Sequence, residues 1–153
     1  MQTPSDIKHN NAVSLLEADH QVVSVLFKKY EKATDKSDKK ELVSKICKEL
    51  TIHAQVEEEI FYPQFKQALN DTELIPEATV EHSTLKDLIA QVEGKEPDGE
   101  MFDAKIKVMS EYVKHHVKEE ESEMFPKAKK SKMDLEKIGM QIVARKAELQ
   151  EKK

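Results

Sequence analysis

Tryptophan is absent from the 153 residues, glycine appears 3 times, proline 5 times and cysteine once. Scarce glycine and proline, beside abundant Lys, Glu, Leu and Val, favour helices throughout. The lone cysteine, Cys47, excludes an internal disulfide and suits a reducing cytoplasm. It follows Ile46 in a helical pattern and reads as a small buried or half-buried hydrophobe. No apolar run reaches the roughly 18 residues that a membrane span needs. Met1 to Asp6 is polar, without the apolar core of a signal peptide. A basic stripe is lacking too. Charged residues make up 36% of the chain, but the signs are mixed and the net charge is −5, which argues against a nucleic-acid partner. The length suits one domain, residues 1-153, able to bury a real core.

What the chain does contain is an internal repeat. His53 to Pro63 reads His-Ala-Gln-Val-Glu-Glu-Glu-Ile-Phe-Tyr-Pro, and His116 to Pro126 reads His-Val-Lys-Glu-Glu-Glu-Ser-Glu-Met-Phe-Pro. Both begin with His, carry Glu at the fifth and sixth places, and close with an aromatic residue and proline. On a helix, a His and a Glu four residues apart lie on one face, roughly 5–6 Å apart at Cβ, so both can reach one metal ion.

Apolar periodicity places these pairs. A first helix is expected from near Pro4-Ser5-Asp6 to about Ala33-Thr34-Asp35, with the stripe Val13, Leu16, His20, Val23, Phe27 and Tyr30. A second follows the polar turn Asp35-Lys36-Ser37-Asp38 and runs to about Leu69, with Leu42, Ile46, Leu50, His53, Glu57 and Ile60 inward. Glu58 and Glu59 turn progressively outward, as solvated carboxylates or as supports for a ligand. Pro63 marks a kink or a distorted last turn. Ile75-Pro76-Glu77 opens a third helix, whose stripe is Ala78, His82, Leu85, Ile89 and Val92. After the loop Gly94 to Gly99, a fourth begins near Glu100 and buries Phe102, Ile106, Met109, Val113, His116 and Glu120. His115 and Glu119 have the same spacing as His116 and Glu120, but the stripe and the repeat both select His116. His115 is rotated about 100° off the inward face. A fifth segment, Met133 to about Gln150, has Leu135, Ile138, Ile142 and Leu149 on one side. It suits a helix packed outside the bundle, or alternatively a dimer contact.

Four long amphipathic helices with short loops predict an all-α fold, an up-down-up-down antiparallel four-helix bundle (about 5-130) with an additional C-terminal helix (about 133-151). His20 and His53 each lie roughly 24 Å from the first turn, so they meet at one height. Four imidazoles and two carboxylates converging in an apolar interior call for metal. Six protein ligands exceed what one zinc site uses. Two ions bridged by Glu57 and Glu120, with His20, His53, His82 and His116 as terminal ligands, fit better. Iron is the first expectation, with manganese or zinc behind it.

The pattern His…HisxxxGlu…His…HisxxxGlu resembles the hemerythrin-like (HHE cation-binding) family. The matches are Leu-Leu-Glu-Ala-Asp-His ending at His20, the segment His53 to Pro63, Val-Glu-His ending at His82, and His-His-Val-Lys-Glu-Glu-Glu through Phe125-Pro126. The resemblance implies a non-haem diiron centre with those six ligands. One departure stands out. Oxygen-carrying hemerythrins have a HisxxxHis pair on the third helix, where this chain has Ala78 before His82 and Lys86 after it. Water, a nearby tyrosine, Glu81 or an extra histidine would take that place. His9, about 16 Å along the axis from His20, is too far away.

Two functions are expected from this centre. The first is binding of O2 or NO for storage, scavenging or sensing. The alternative is a diiron enzyme turning over peroxide or nitric oxide, for which the sequence offers no separate general acid. A ferritin-like iron oxidase fits less well, since such sites use Glu-x-x-His and more carboxylates. A small diatomic or peroxide is the expected partner, in a monomer or weak dimer, without nucleic acid or membrane.

Overall fold

The computed structural model describes residues 11–151. Its helices are α1 (Ala12–Lys32), α2 (Lys36–Val56), α3 (Tyr62–Leu69), α4 (Leu74–Val92), α5 (Gly99–Glu119), α6 (Phe125–Lys130) and α7 (Leu135–Glu151). Two π-helical turns join them, π1 (Glu57–Phe61) between α2 and α3 and π2 (Glu120–Met124) between α5 and α6. The four long rods expected from the stripes are thus α1, α2–π1–α3, α4 and α5–π2–α6.

Local chemistry sets the ends. Asn11 accepts a hydrogen bond from the Ser14 backbone N–H, and the Ser14 hydroxyl accepts one from the Asn11 N–H. That reciprocal cap fixes the start of α1. The start expected near Pro4-Ser5-Asp6, and His9 with it, lie outside the described residues. Asp35 caps α2 through the Ser37 N–H. Asn70 closes α3 in the left-handed region at φ 51°, a conformation its short polar side chain tolerates.

Three of the stripes are buried as read, from Val13 to Tyr30, Ala78 to Val92 and Phe102 to Glu120. The second changes phase at its end. Ile60 is only partly buried, whereas Phe61, Tyr62 and Phe65 are buried. The wide turn of π1 explains this, because its Tyr62 N–H reaches back five residues to the Glu57 carbonyl. One extra residue per turn rotates everything that follows. Pro63 comes straight after it, and a widened turn relieves the clash its ring makes with the preceding turn.

The apolar core is divided in two. Val23, Phe27, Ile46, Leu50, Leu85, Ile89, Ile106 and Met109 pack at one end. Leu16, Phe61, Phe65, Phe125, Ile138 and Ile142 pack at the other. Each fully buried side chain of this size contributes about 1.5–3 kcal/mol. The C-terminal helix α7 lies across α1 and α2 and sends Ile138 and Ile142 into the second cluster. Between the clusters the four inward histidines and Glu57 and Glu120 share one layer.

Candidate metal centre

All six residues singled out by spacing meet in that layer, and all are buried. The rings of His20 and His53 are 5.0 Å apart, as are those of His82 and His116. Ligand atoms of His20, His53, Glu57 and Glu120 lie within 4.8 Å of one another, and so do those of Glu57, His82 and His116. The two groups share Glu57. His115 is elsewhere: its side chain is 65% exposed and pairs with Glu119.

Every inward imidazole is gripped from behind by a carboxylate. Nδ1 of His20 is 2.8 Å from Glu121, that of His53 2.8 Å from Asp19, that of His82 2.7 Å from Glu58 and that of His116 2.5 Å from Glu81. A carboxylate can only accept, so each Nδ1 carries a proton, and each Nε2 is left facing the interior. This outer partnership orients a metal-binding histidine and raises its basicity. Glu81, offered by the sequence as a replacement ligand, belongs to this outer ring and faces away from the centre. Glu58 fills the supporting role expected of it. Asp19 was missed, although an acidic residue directly precedes both His20 and His82.

The place left by the absent histidine is filled from the repeat. Ala78 is buried at that level, and the Tyr62 hydroxyl oxygen lies 3.2 Å from His82 Nε2 and 3.4 Å from His116 Nε2. It also lies 2.5 Å from Glu120 Oε2 and 3.1 Å from Glu57 Oε1. With one proton to give, it donates to Glu120 at the shorter distance. Burial first, then the charges of Glu57 and Glu120, push the phenol well above its ordinary value. The sequence offered a nearby tyrosine without singling one out, and Tyr62 itself was named only within the aromatic close of the first repeat. The π-turn is what brings it back over Glu57.

The electrostatics demand cations. Glu57 and Glu120 are 0% and 1% exposed, a costly place for a carboxylate unless positive charge meets it. Burial pulls the His53 imidazole down, but the charge of Glu57 and the hydrogen bond to Asp19 outweigh it and raise the ring to about 10. Burial likewise pulls His116 down, and Glu120 and Glu81 raise it to about 11. Glu120 moves the other way. Burial works to raise it, yet its hydrogen bonds and the charge of His116 hold it well below the carboxylate range. Within the centre, two buried atoms still lack a hydrogen-bond partner, His53 Nε2 and Glu57 Oε2. His53 Nε2 comes within 3.3 Å of Glu57 Oε1 but without hydrogen-bond alignment. Buried donor atoms left without partners are what a metal would use, so the donor set, two clusters sharing Glu57, fits a cation site.

On the side of the imidazoles away from Glu57 and Glu120 lies a cavity of ≈ 20 Å³, measured as space for the centre of a water-sized molecule. That is room for about one small guest. Its far wall is Val23, Leu50, Leu85 and Val113.

Comparison with known proteins agrees with this site. A family profile for the hemerythrin HHE cation binding domain matches residues 11–128. A crystal structure of a hemerythrin HHE cation binding domain-containing protein from Mycobacterium kansasii is similar at TM-score 0.79 and 26% identity, covering 91% of this chain and 86% of that one. A protein from Nostoc sp. called DNA nickase is 30% identical over 121 residues. That stretch is 79% of this chain but 34% of the Nostoc protein, so the chain spans about a third of that relative.

Proposed function

Since the chain belongs to the hemerythrin HHE cation binding domain family, we propose that its cation site is a non-haem diiron centre that binds O2 or NO for storage, scavenging or sensing. His20 and His53 would hold one ion and His82 and His116 the other, with Glu57 and Glu120 as the carboxylates shared between them. When bound, a ferrous pair supplies an open coordination position with affinity for such gases. The residues do the rest. Asp19, Glu58, Glu81 and Glu121 fix the imidazole tautomers, while the two apolar clusters exclude bulk water from either side.

The observation that carries this reading is the cavity beside the imidazoles, apolar on its far wall and sized for one small guest. A pocket this small, with an apolar wall, favours an uncharged diatomic over an ion, which would lose its hydration shell there. The test is metal analysis of the purified protein, followed by anaerobic titration of the reduced form with O2 and with NO. Two irons per chain and a saturable spectral change with either gas are expected. At most one metal per chain after ferrous reconstitution, or no spectral response to either gas, overturns the proposal.

Tyr62 favours a second reading, turnover of peroxide or nitric oxide. It supplies the buried acid that the sequence alone did not offer, holding a proton 2.5 Å from Glu120. Peroxide consumption by the loaded protein that collapses in Tyr62→Phe is its signature. DNA nicking is a property named for the Nostoc protein, of which this chain spans 34%, and we leave it there. We place the protein in the cytoplasm, on the strength of its lone cysteine. No described helix is long and apolar enough to cross a membrane.

A further inference from the structure

The small cavity beside the imidazoles shares a wall with the surface. His20, Val23, Val113 and Val117 line it, and the same four residues line an open groove of ≈ 260 Å³ between α1 and α5. The groove lies on the loosest seam of the bundle. α1 and α5 touch far less than the antiparallel neighbours α1 and α2 or α4 and α5, while α7 closes the flank formed by α1 and α2. Polar side chains, among them Gln21, Lys114 and Lys118, surround its mouth.

Ser110 lies on the floor of the groove. It is only 5% exposed, and its hydroxyl has no hydrogen-bond partner in the protein. Inward of that polar mouth, the wall shared with the cavity is Val23, Val113 and Val117 beside His20. A thin wall made mostly of valine passes small uncharged molecules and turns back ions. In a helix, valine keeps one χ1 rotamer about 90% of the time. The width of such an aperture is thus set by side-chain size more than by motion.

We propose that this seam is the entry port of the centre. A small uncharged diatomic passes from the groove between Val117 and Val113 of α5 and Val23 of α1 into the cavity beside His20. Val117 is the gate, since it is the half-buried member of the wall while Val23 and Val113 are core. The inference rests on the gas-binding reading above and adds a route to it.

Val117→Phe and Val117→Ala in the iron-loaded protein test the port. NO association with the reduced form and its release to a trap are followed by stopped flow. With Phe, both rates should fall about tenfold, equivalent to about 1.4 kcal/mol of barrier, and the dissociation constant should not change. With Ala, both rates should rise, which also guards against a Phe variant that fails to fold. Rates equal to wild type in both variants overturn the port, and so does a change confined to affinity, which would place Val117 at the site and not on the way to it. If the wild type takes up neither gas, the gas-binding reading falls separately. Xenon exchange between solvent and cavity, followed by NMR, then decides the port without iron chemistry. Slower exchange in Val117→Phe sustains it, and unchanged exchange overturns it.

Discussion

The two halves of the molecule follow one plan. α1, α2, π1 and α3 carry Asp19-His20, His53, Glu57-Glu58 and Tyr62-Pro63. α4, α5, π2 and α6 carry Glu81-His82, His116, Glu120-Glu121 and Phe125-Pro126. Asp19 grips His53 as Glu81 grips His116, within each half. Glu58 grips His82 and Glu121 grips His20, across the halves. Both π-turns close with an N–H reaching back to the ligand glutamate. The halves part at the aromatic. The Tyr62 hydroxyl enters the centre, whereas Phe125 stacks on His20 at 5.8 Å with an interplanar angle of 7°. They part again at the outer ring, where Lys146 of α7 bonds Asp19 at 2.5 Å, whereas among the described residues no lysine or arginine pairs with Glu81. A symmetric scaffold therefore holds an asymmetric site, with the proton donor and the extra helix confined to opposite histidine pairs.

Removing the metal should break the pairing of the halves most severely. Ions that bind only the folded state stabilise it by about 4 kcal/mol at a thousandfold excess over the dissociation constant. For a chain of this size that is about 10 °C of melting temperature. The stripped interior is not bare, because the imidazoles and carboxylates then pair with one another, so the helices should persist. Its pH response has a definite sign. His53 and His116, raised from 6.5 to about 10 and about 11, contribute stability that is full below 6.5 and lost as pH rises through those values. Glu120, depressed from 4.5, contributes stability present above 4.5 and lost in acid. Chelated protein should therefore be most stable between 4.5 and 6.5 and weaken in alkali. Loaded protein should resist alkali, and acid should strip it by protonating the ligands. A thermal melt series checks both. Equal melting temperatures with and without metal would falsify the idea that the site is part of the core.

A smaller effect should come from erasing or exchanging the hydroxyl. Tyr62→Phe makes the halves alike, and Phe125→Tyr together with Tyr62→Phe offers the hydroxyl to the other side. The single change removes one buried hydrogen bond to a charged group, about 1.5–3 kcal/mol. Metal content should survive, since the six ligands are intact, while peroxide turnover should drop sharply if the enzymatic reading holds. Iron loss in Tyr62→Phe as complete as in His82→Ala would instead make the phenol indispensable for metal retention.

Much of this was legible in the sequence because period 3.6 is strict in the long helices. The stripes through His20 and His82 each set one histidine in an apolar series, the stripe through His116 adds Glu120, and all four proved to be buried. The repeat carried the rest, fixing the inward phase before any helix was placed. What the sequence hid depends on geometry that no period encodes. The π-turns shifted Tyr62 inward and Ile60 partly out, and a spacing rule that assumes α-helix misses such a rotation by construction. Asp19 and Lys146 act across helices 34 and 127 residues apart from their partners, contacts that only packing creates. The charge of Glu81 fitted both a ligand and a support, and only its meeting with Nδ1 of His116 separated the two.

The smallest expected effect is on His115, and it is the sharpest test of phase. His115 and His116 are neighbours, and both have a glutamate four residues later, so composition and spacing treat them alike. One step along a helix is about 100° of rotation, enough to send His116 to a buried centre and His115 into solvent. His115 pairs with Glu119 at 3.0 Å with side chains 65% and 37% exposed, and exposed pairs of this kind are worth about 0.3–0.5 kcal/mol. His115→Ala should leave metal content and melting temperature almost unchanged. His116→Ala removes a ligand and strands Glu81 and Glu120 without their partner, an uncompensated burial of about 3–5 kcal/mol. Elemental analysis and a melt of the two variants side by side give the answer. If His115→Ala loses metal as His116→Ala does, the register of α5 has been misassigned by one residue, and the second half of the molecule does not copy the first.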